Sequence, residues 1–126
     1  MEIAKIAKSN SINSFFYVSS GFADSKSSGA YLKNKGQVEE ELIKLNFSIL
    51  GIMRPSFLVG NRKEKRPGEE VGIFFFKIFS PLLLGPLKKM RPIQSEKVAK
   101  VMIKVANENL KKTIFESNEI AELALN

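Results

Sequence analysis

Residues 15–53 read FFYVSSGFADSKSSGAYLKNKGQVEEELIKLNFSILGIM, and this stretch decides the fold. The run at residues 15–18 is apolar without alternation and is bounded by Ser19-Ser20-Gly21, which predicts a short strand covered on both faces. A polar loop over 21–29 leads to a helix over 30–45, and a second continuous apolar strand follows at 47–53. Strand, helix and strand in this order predict a parallel βαβ unit.

The flanking residues extend the same alternation. Further helices are predicted at residues 2–8, at 69–79, from Ser95 onward and at 120–125, and a third strand near 113–117. A basic loop is expected at 61–68 and irregular structure at 81–92. The sequence therefore predicts an α/β fold, a partial doubly wound Rossmann-like parallel sheet of about three strands with flanking helices, over the single unit 1–126.

Composition excludes several classes of chemistry. The 126 residues contain no cysteine and no histidine, so thiol nucleophiles, disulfides and histidine-dependent triads are excluded within the chain. Asp24 is the only aspartate, and we expect no metal site. The net charge of +7 is scattered over helix faces and one loop, which favours a solvated surface over a nucleic-acid footprint. We also expect no membrane span and, with no evident signal peptide, a cytoplasmic location.

Two polar residues on the predicted helix could carry acid–base chemistry. Tyr31 and Lys35 form a Tyr-x-x-x-Lys motif, in which one helical turn separates the side chains, so both point from one face. A neighbouring ammonium stabilises a phenolate, and the tyrosine can then exchange a proton with a substrate oxygen. The alternative is a half-buried tyrosine beside a lysine that extends to the surface, since the spacing alone is common by chance.

The surrounding motifs are more specific than that pair. The segment FFYVSSGFADSKSSGAYLKNKGQVEEEL (residues 15–42), followed by RPSFLVGNRKEKRPGE (residues 54–69), resembles atypical short-chain dehydrogenases/reductases. The similarity is greatest to the Tat-interacting-protein oxidoreductase subfamily. Shared features are a strand ending in Ser-Ser, the Tyr-Leu-x-x-Lys-Gly string, an Arg-Pro strand end and an Arg-x-x-x-Arg-Pro-Gly-Glu loop.

The resemblance implies an NAD(P)-dependent oxidoreductase that transfers hydride to or from a small carbonyl or alcohol. It implies Tyr31 as the acid–base and Lys35 as its electrostatic partner and a ligand of the nicotinamide ribose. Ser20, with Ser19 beside it, would line the pocket for the substrate oxygen and the nicotinamide.

Two further residues would bind the cofactor, which is NADP or NAD by resemblance. Leu58 would pack near the nicotinamide carboxamide, and Arg66 would reach the cofactor from the basic loop. The alternatives are simple core packing for Leu58 and an ordinary loop cation for Arg66.

A glycine-rich dinucleotide-phosphate loop is missing from the chain. No two of its eight glycines lie two or three positions apart, so neither G-x-G-x-x-G nor G-x-x-G-x-x-G occurs. We therefore interpret the chain as the C-terminal portion of an NAD(P)-binding Rossmann-like domain whose N-terminal half is absent. Such a portion is expected to be inactive in isolation, and to self-associate or bind an N-terminal complementing chain. The alternative function is a non-catalytic interaction or regulatory module derived from that fold.

Overall fold

The computed structural model describes residues 1–59 and 92–126, and in these ranges helices alternate with strands. The helices are α1 (Glu2–Ser9), α2 (Ala30–Lys44), α3 (Ser95–Glu108) and α4 (Ser117–Leu123). The strands are β1 (Ser14–Val18), β2 (Ile49–Arg54), β3 (Phe57–Val59), β4 (Pro92–Gln94) and β5 (Ile114–Glu116). The predicted helix over 69–79, the basic loop over 61–68 and most of the stretch 81–92 lie outside the described residues.

A three-stranded parallel sheet, in the order β1-β2-β5, organises the fold. Ser14 of β1 pairs with Ile49 of β2, and Ile52 of β2 pairs with Ile114 of β5. This arrangement confirms the predicted α/β class and the three parallel strands near 14–19, 47–53 and 113–117.

A second, two-stranded parallel sheet joins β3 and β4, with Leu58 opposite Ile93. The sequence analysis assigned no strand to residues 57–59 and expected irregular structure up to residue 92. Three-residue strands are too short to show a periodicity of their own. Pro92, which opens β4, stands at a strand position that a proline tolerates.

Helices cover both faces of the larger sheet. Consecutive side chains of β2 point to opposite faces, so neighbouring residues of this strand pack against different helices. Ile52, fully buried, packs in a cluster with Ala4 and Leu42 from α1 and α2. Its neighbour Met53, also fully buried, packs on the other side, where the cluster includes these residues from α3, β5 and α4: Val98, Val101, Val105, Phe115 and Ile120. Coverage of both faces explains the apolar strands without alternation. Within residues 1–59 and 92–126, none of the helices has the length and apolarity needed to cross a bilayer.

Helix α2 carries the candidate site, and its ends follow from the sequence. Gly29 is the N-cap, and Asn46 adopts the left-handed conformation (φ 53°) just past the C-cap, where asparagine is tolerated. One stripe of this helix carries Tyr31, Lys35, Val38, Leu42 and Leu45, and it reaches the core through Leu42, which is 1% exposed. The N-terminal end of this stripe lies outside the core, since Tyr31 is 64% exposed.

The loop before α2 packs against the helix backbone at Gly36. The Asp24 amide donates to the Leu32 carbonyl (3.1 Å), and a Cβ on Gly36 would lie only 2.2 Å from the Ser25 nitrogen and 2.4 Å from the Asp24 carbonyl carbon. Gly36 therefore allows the loop to lie directly on the helix.

We expect Gly36→Ala to destabilise the chain by about 1–3 kcal/mol, because backbone atoms of the loop must move to admit the methyl group. Alanine stabilises a helix interior more than glycine does, so a net loss of stability would be due to the clash with the loop. Gly29→Ala is the matched control, since a Cβ there meets only the Ser27 hydroxyl at 3.7 Å. Urea denaturation of both variants tests this expectation, and equal stabilities would contradict it.

Among the residues that the structure describes, β1 is an outer strand of the larger sheet and pairs only with β2. Outer strands with unpaired backbone groups favour association between chains. We expect light scattering to detect dimers or larger species of the purified chain. Val18→Lys, at a position that is 36% exposed, should shift this population toward monomer. A stable monomer at high concentration would contradict the expectation.

Candidate functional site

The candidate site lies at the edge of the larger sheet where its parallel strands end. Ser19 and Ser20 follow β1, and Pro55 follows β2. In open α/β sheets, ligands bind outside the carboxyl ends of the strands. Helix α2 begins at this same edge, because the loop from β1 leads directly into it.

Backbone hydrogen bonds fasten the end of β1 to the end of β2. The Ser19 amide donates to the Met53 carbonyl (2.7 Å), and the Gly21 amide donates to the Pro55 carbonyl (3.0 Å). A Cβ on Gly21 would approach the Ser56 Cα to 3.2 Å, closer than most real contacts. The serine pair therefore sits on a backbone anchored to two strands.

The Lys35 side chain lies across the end of β1. Its Nζ donates to the Val18 carbonyl (3.3 Å) and lies 5.0 Å from the centroid of the Tyr17 ring. The same Nζ is 5.8 Å from the centroid of the Tyr31 ring, so the ammonium stands close to two aromatic faces. This contact confirms that Tyr31 and Lys35 share a helix face, as the Tyr-x-x-x-Lys spacing predicts.

The two serines differ in environment. Ser20 is partly buried, and its hydroxyl donates to the Gly21 carbonyl (3.2 Å). Ser19 is 5% exposed, and its Oγ has no hydrogen-bond partner in the part of the chain that the structure describes. A buried hydroxyl without a partner costs free energy, so Ser19 Oγ is the more suitable group to meet a polar ligand.

The structure does not bring every predicted site residue together. It places Ser19, Ser20, Tyr31 and Lys35 at one edge of the sheet. The backbone of Leu58 lies in β3, in the separate two-stranded sheet. Arg66 lies outside the described residues.

A partly buried charge cluster beside the site was not predicted from the sequence. The Arg54 guanidinium donates from Nε to Glu39 Oε1 (3.0 Å) and from Nη2 to Glu39 Oε2 (2.5 Å). Its Nη1 donates to Glu116 Oε1 (3.0 Å). The hydrogen bonds to Glu39 raise the pKa of Arg54 above its ordinary value, so the guanidinium stays charged. We call Arg54, Glu39 and Glu116 the arginine cluster.

One signal in the sequence could have indicated this cluster. Glu39 lies four residues after Lys35 and eight after Tyr31, on the stripe that enters the core, and a carboxylate there needs a cationic partner. Arg54 itself stands out in the sequence only through the Arg-Pro strand end that the family resemblance shares. Over residues 1–59 and 92–126, no group of three acidic side chains is placed to bind a metal ion.

Comparison with known proteins identifies relatives in fungi and in a mammal. The chain is 33% identical to "Protein FMP52-1, mitochondrial" of Scheffersomyces stipitis over 97% of its own length and 56% of the relative's. It is 31% identical to "Protein FMP52, mitochondrial" of Candida glabrata over 100% of its length and 58% of the relative's. It is 40% identical to "Protein HTATIP2" of Rattus norvegicus over 60% of its length and 31% of the relative's. No family model matches the chain.

The chain is thus homologous to FMP52 and HTATIP2 proteins, and it spans just over half the length of the two fungal relatives. The roles of the individual residues and the identity of the cofactor stay predictions. The placement of the chain in the C-terminal half stays a prediction.

The predicted cytoplasmic location is wrong, because the FMP52 relatives are named as mitochondrial. The prediction rested on the absence of cysteine and of an apolar signal segment. Neither property distinguishes one reducing compartment from another.

The arginine cluster generates a stability prediction. We expect Arg54→Met to lower the free energy of unfolding by about 3–5 kcal/mol, because it leaves the Glu39 carboxylate, 3% exposed as a residue, without its main partner. Arg54→Met combined with Glu39→Met should cost much less, since an apolar pair replaces the ion pair. Urea denaturation of the three proteins measures both effects. A double variant as unstable as Arg54→Met would contradict the pairing argument.

Proposed function

We propose that the chain forms the nicotinamide and substrate side of an NAD(P)-dependent oxidoreductase that acts on a carbonyl or an alcohol. One observation carries the proposal: the Lys35 ammonium lies beside the Tyr31 ring and the Val18 carbonyl, at the strand end that holds the buried Ser19 hydroxyl. A phenol, a cation and a hydroxyl without a partner among the described residues thus share one edge of the sheet. The homology to FMP52 and HTATIP2 proteins supports the same conclusion.

The residues at this edge suit the nicotinamide end of a dinucleotide. Ser19 Oγ, buried and without a partner among the described residues, can hydrogen-bond the nicotinamide carboxamide. The Lys35 ammonium has three donor hydrogens, of which Val18 takes one, so it can also bind ribose hydroxyls. When bound, NAD(P)(H) supplies or accepts the hydride. Leu58 and Arg66 would add the further cofactor contacts that the family resemblance implies.

Tyr31 is the proton donor or acceptor in this proposal. Its side chain is accessible, and the Lys35 ammonium lies 5.8 Å from the centroid of its ring. During carbonyl reduction, the Tyr31 hydroxyl gives its proton to the substrate oxygen, and during alcohol oxidation the phenolate takes that proton back. The Ser20 hydroxyl, which now donates to Gly21, can turn to hold the substrate oxygen.

The phosphates of the dinucleotide would need a binding element beyond this site. No glycine-rich phosphate loop occurs in the chain, and most dinucleotide affinity depends on such a loop. The relatives are nearly twice as long as the chain, so their remaining part could supply it. We also infer a mitochondrial location from the names of the FMP52 relatives.

A non-catalytic interaction or regulatory module is the second candidate. It is favoured by the exposure of Tyr31 and by the outer position of β1, which leaves one side of that strand without a described partner. Such a module keeps the surface of the fold but does not turn over a substrate. Turnover by a full-length protein that contains this chain distinguishes the two candidates.

The test places the chain in a full-length context, by substituting it for the matching region of the Candida glabrata relative. Oxidation of NADPH and NADH is followed with a panel of aldehydes and ketones. We expect Tyr31→Phe to lower kcat by about 100-fold or more, because the proton donor is removed, while cofactor affinity changes little.

Tyr17→Phe is the matched control. It removes a second phenol close to the same ammonium, 5.0 Å from Lys35 Nζ, and should retain near-normal turnover. Wild-type turnover by Tyr31→Phe would contradict the catalytic role. Failure of the unsubstituted protein to turn over any member of the panel would favour the non-catalytic module.

A further inference from the structure

Lys35 does not pair with the carboxylate that is nearest to it along the helix. Glu39 follows Lys35 by one turn of α2, and side chains four residues apart are neighbours on a helix surface. An isolated helix would favour an ion pair between them. In the structure they form none, and the Lys35 ammonium instead donates to the Val18 carbonyl at 3.3 Å.

Arg54 explains why Glu39 is not available. Its guanidinium donates to both carboxylate oxygens of Glu39, at 3.0 and 2.5 Å, from the end of β2. The Glu39 side chain is 4% exposed, so water does not solvate these oxygens. A planar guanidinium fork binds a carboxylate through two parallel hydrogen bonds, which a single ammonium cannot match.

Removal of Arg54 would change the partner of Lys35. A buried carboxylate without its cation is strongly unfavourable, and it draws in the nearest positive charge. On α2 that charge is Lys35, one turn away. Its ammonium would then leave the Val18 carbonyl and the faces of Tyr17 and Tyr31.

We propose that Arg54 is a positioning residue that occupies the Glu39 carboxylate and thereby keeps the Lys35 ammonium at the carboxyl end of β1. The placement of Lys35 follows from the contacts alone. Its consequence for ligand binding rests on the proposed function. Arg54 acts through Lys35 and touches neither substrate nor cofactor in this role.

The placement can be measured without any ligand. The chain has two tyrosines and no tryptophan, so in a sample with ¹³C-labelled tyrosine the ring resonances belong to Tyr17 and Tyr31 alone. Both rings face the Lys35 ammonium, at 5.0 and 5.8 Å from their centroids. Lys35→Met provides the reference spectrum for rings that have lost this cation.

We expect Arg54→Gln to move the tyrosine ring resonances toward those of Lys35→Met. Adding Glu39→Gln should return them toward the wild-type positions, because no carboxylate remains to attract the ammonium. A purely stabilising role for Arg54 predicts neither the shift nor its reversal in the folded protein. If Arg54→Gln does not fold in buffer alone, it is measured in a stabilising osmolyte, with the wild type and Lys35→Met recorded under the same conditions, and the same shift is expected. Wild-type resonances in the folded Arg54 variant, or no reversal by Glu39→Gln, would overturn the proposal.

A second measurement connects the placement to the proposed function. Reduced nicotinamide mononucleotide is the probe, since it lacks the adenylate part of the dinucleotide, and its binding is followed by its fluorescence. We expect Arg54→Gln to weaken binding about tenfold, the effect of losing one charged hydrogen bond, and Glu39→Gln to restore it in the double variant. Absence of binding by the wild-type chain would count against the proposed function, while the tyrosine spectra would still decide the placement of Lys35.

Discussion

The arginine cluster is the interaction on which the rest of this structure depends. Arg54 at the end of β2 joins a helix and a neighbouring strand, through Glu39 of α2 and Glu116 of β5. Ion pairs that are largely shielded from water gain little net free energy, but they are costly to break. Their value is geometric, because a two-point fork fixes the relative positions of the elements it joins. Here the fork connects the helix that carries Tyr31 and Lys35 to the sheet whose edge holds Ser19 and Ser20.

The same edge of the sheet combines rigid and accessible groups. Backbone hydrogen bonds from Ser19 and Gly21 anchor the end of β1 to β2, and Gly36 lets the following loop lie on α2. Tyr31 nevertheless remains 64% exposed beside the Lys35 ammonium. An accessible phenol held by a rigid framework suits the proton transfer that we propose for Tyr31.

The relatives and the structure corrected the sequence analysis in different ways. The mitochondrial names of the FMP52 relatives overturned the predicted cytoplasmic location, which composition alone could not have corrected. The structure added the β3–β4 sheet, because three-residue strands form through pairing with each other and not through a periodic pattern. It also showed that, among the described residues, the Ser19 hydroxyl has no hydrogen-bond partner, whereas the Ser20 hydroxyl donates to the Gly21 carbonyl.

The sequence by itself determined the order of the main elements, the parallel direction of β1, β2 and β5, and the common face of Tyr31 and Lys35. The elements and the shared face follow from local periodicity, and the parallel direction follows from the alternation of strands with helices along the chain. Only the tertiary structure decided which partners the charged side chains choose. Lys35 has a carboxylate one turn away, yet it binds the Val18 carbonyl, 17 residues earlier in the chain. Glu39 binds Arg54, 15 residues later, and Arg54 in turn binds Glu116, 62 residues further on. Such choices depend on which groups the folded chain brings together and shields from water, and no local pattern encodes that competition.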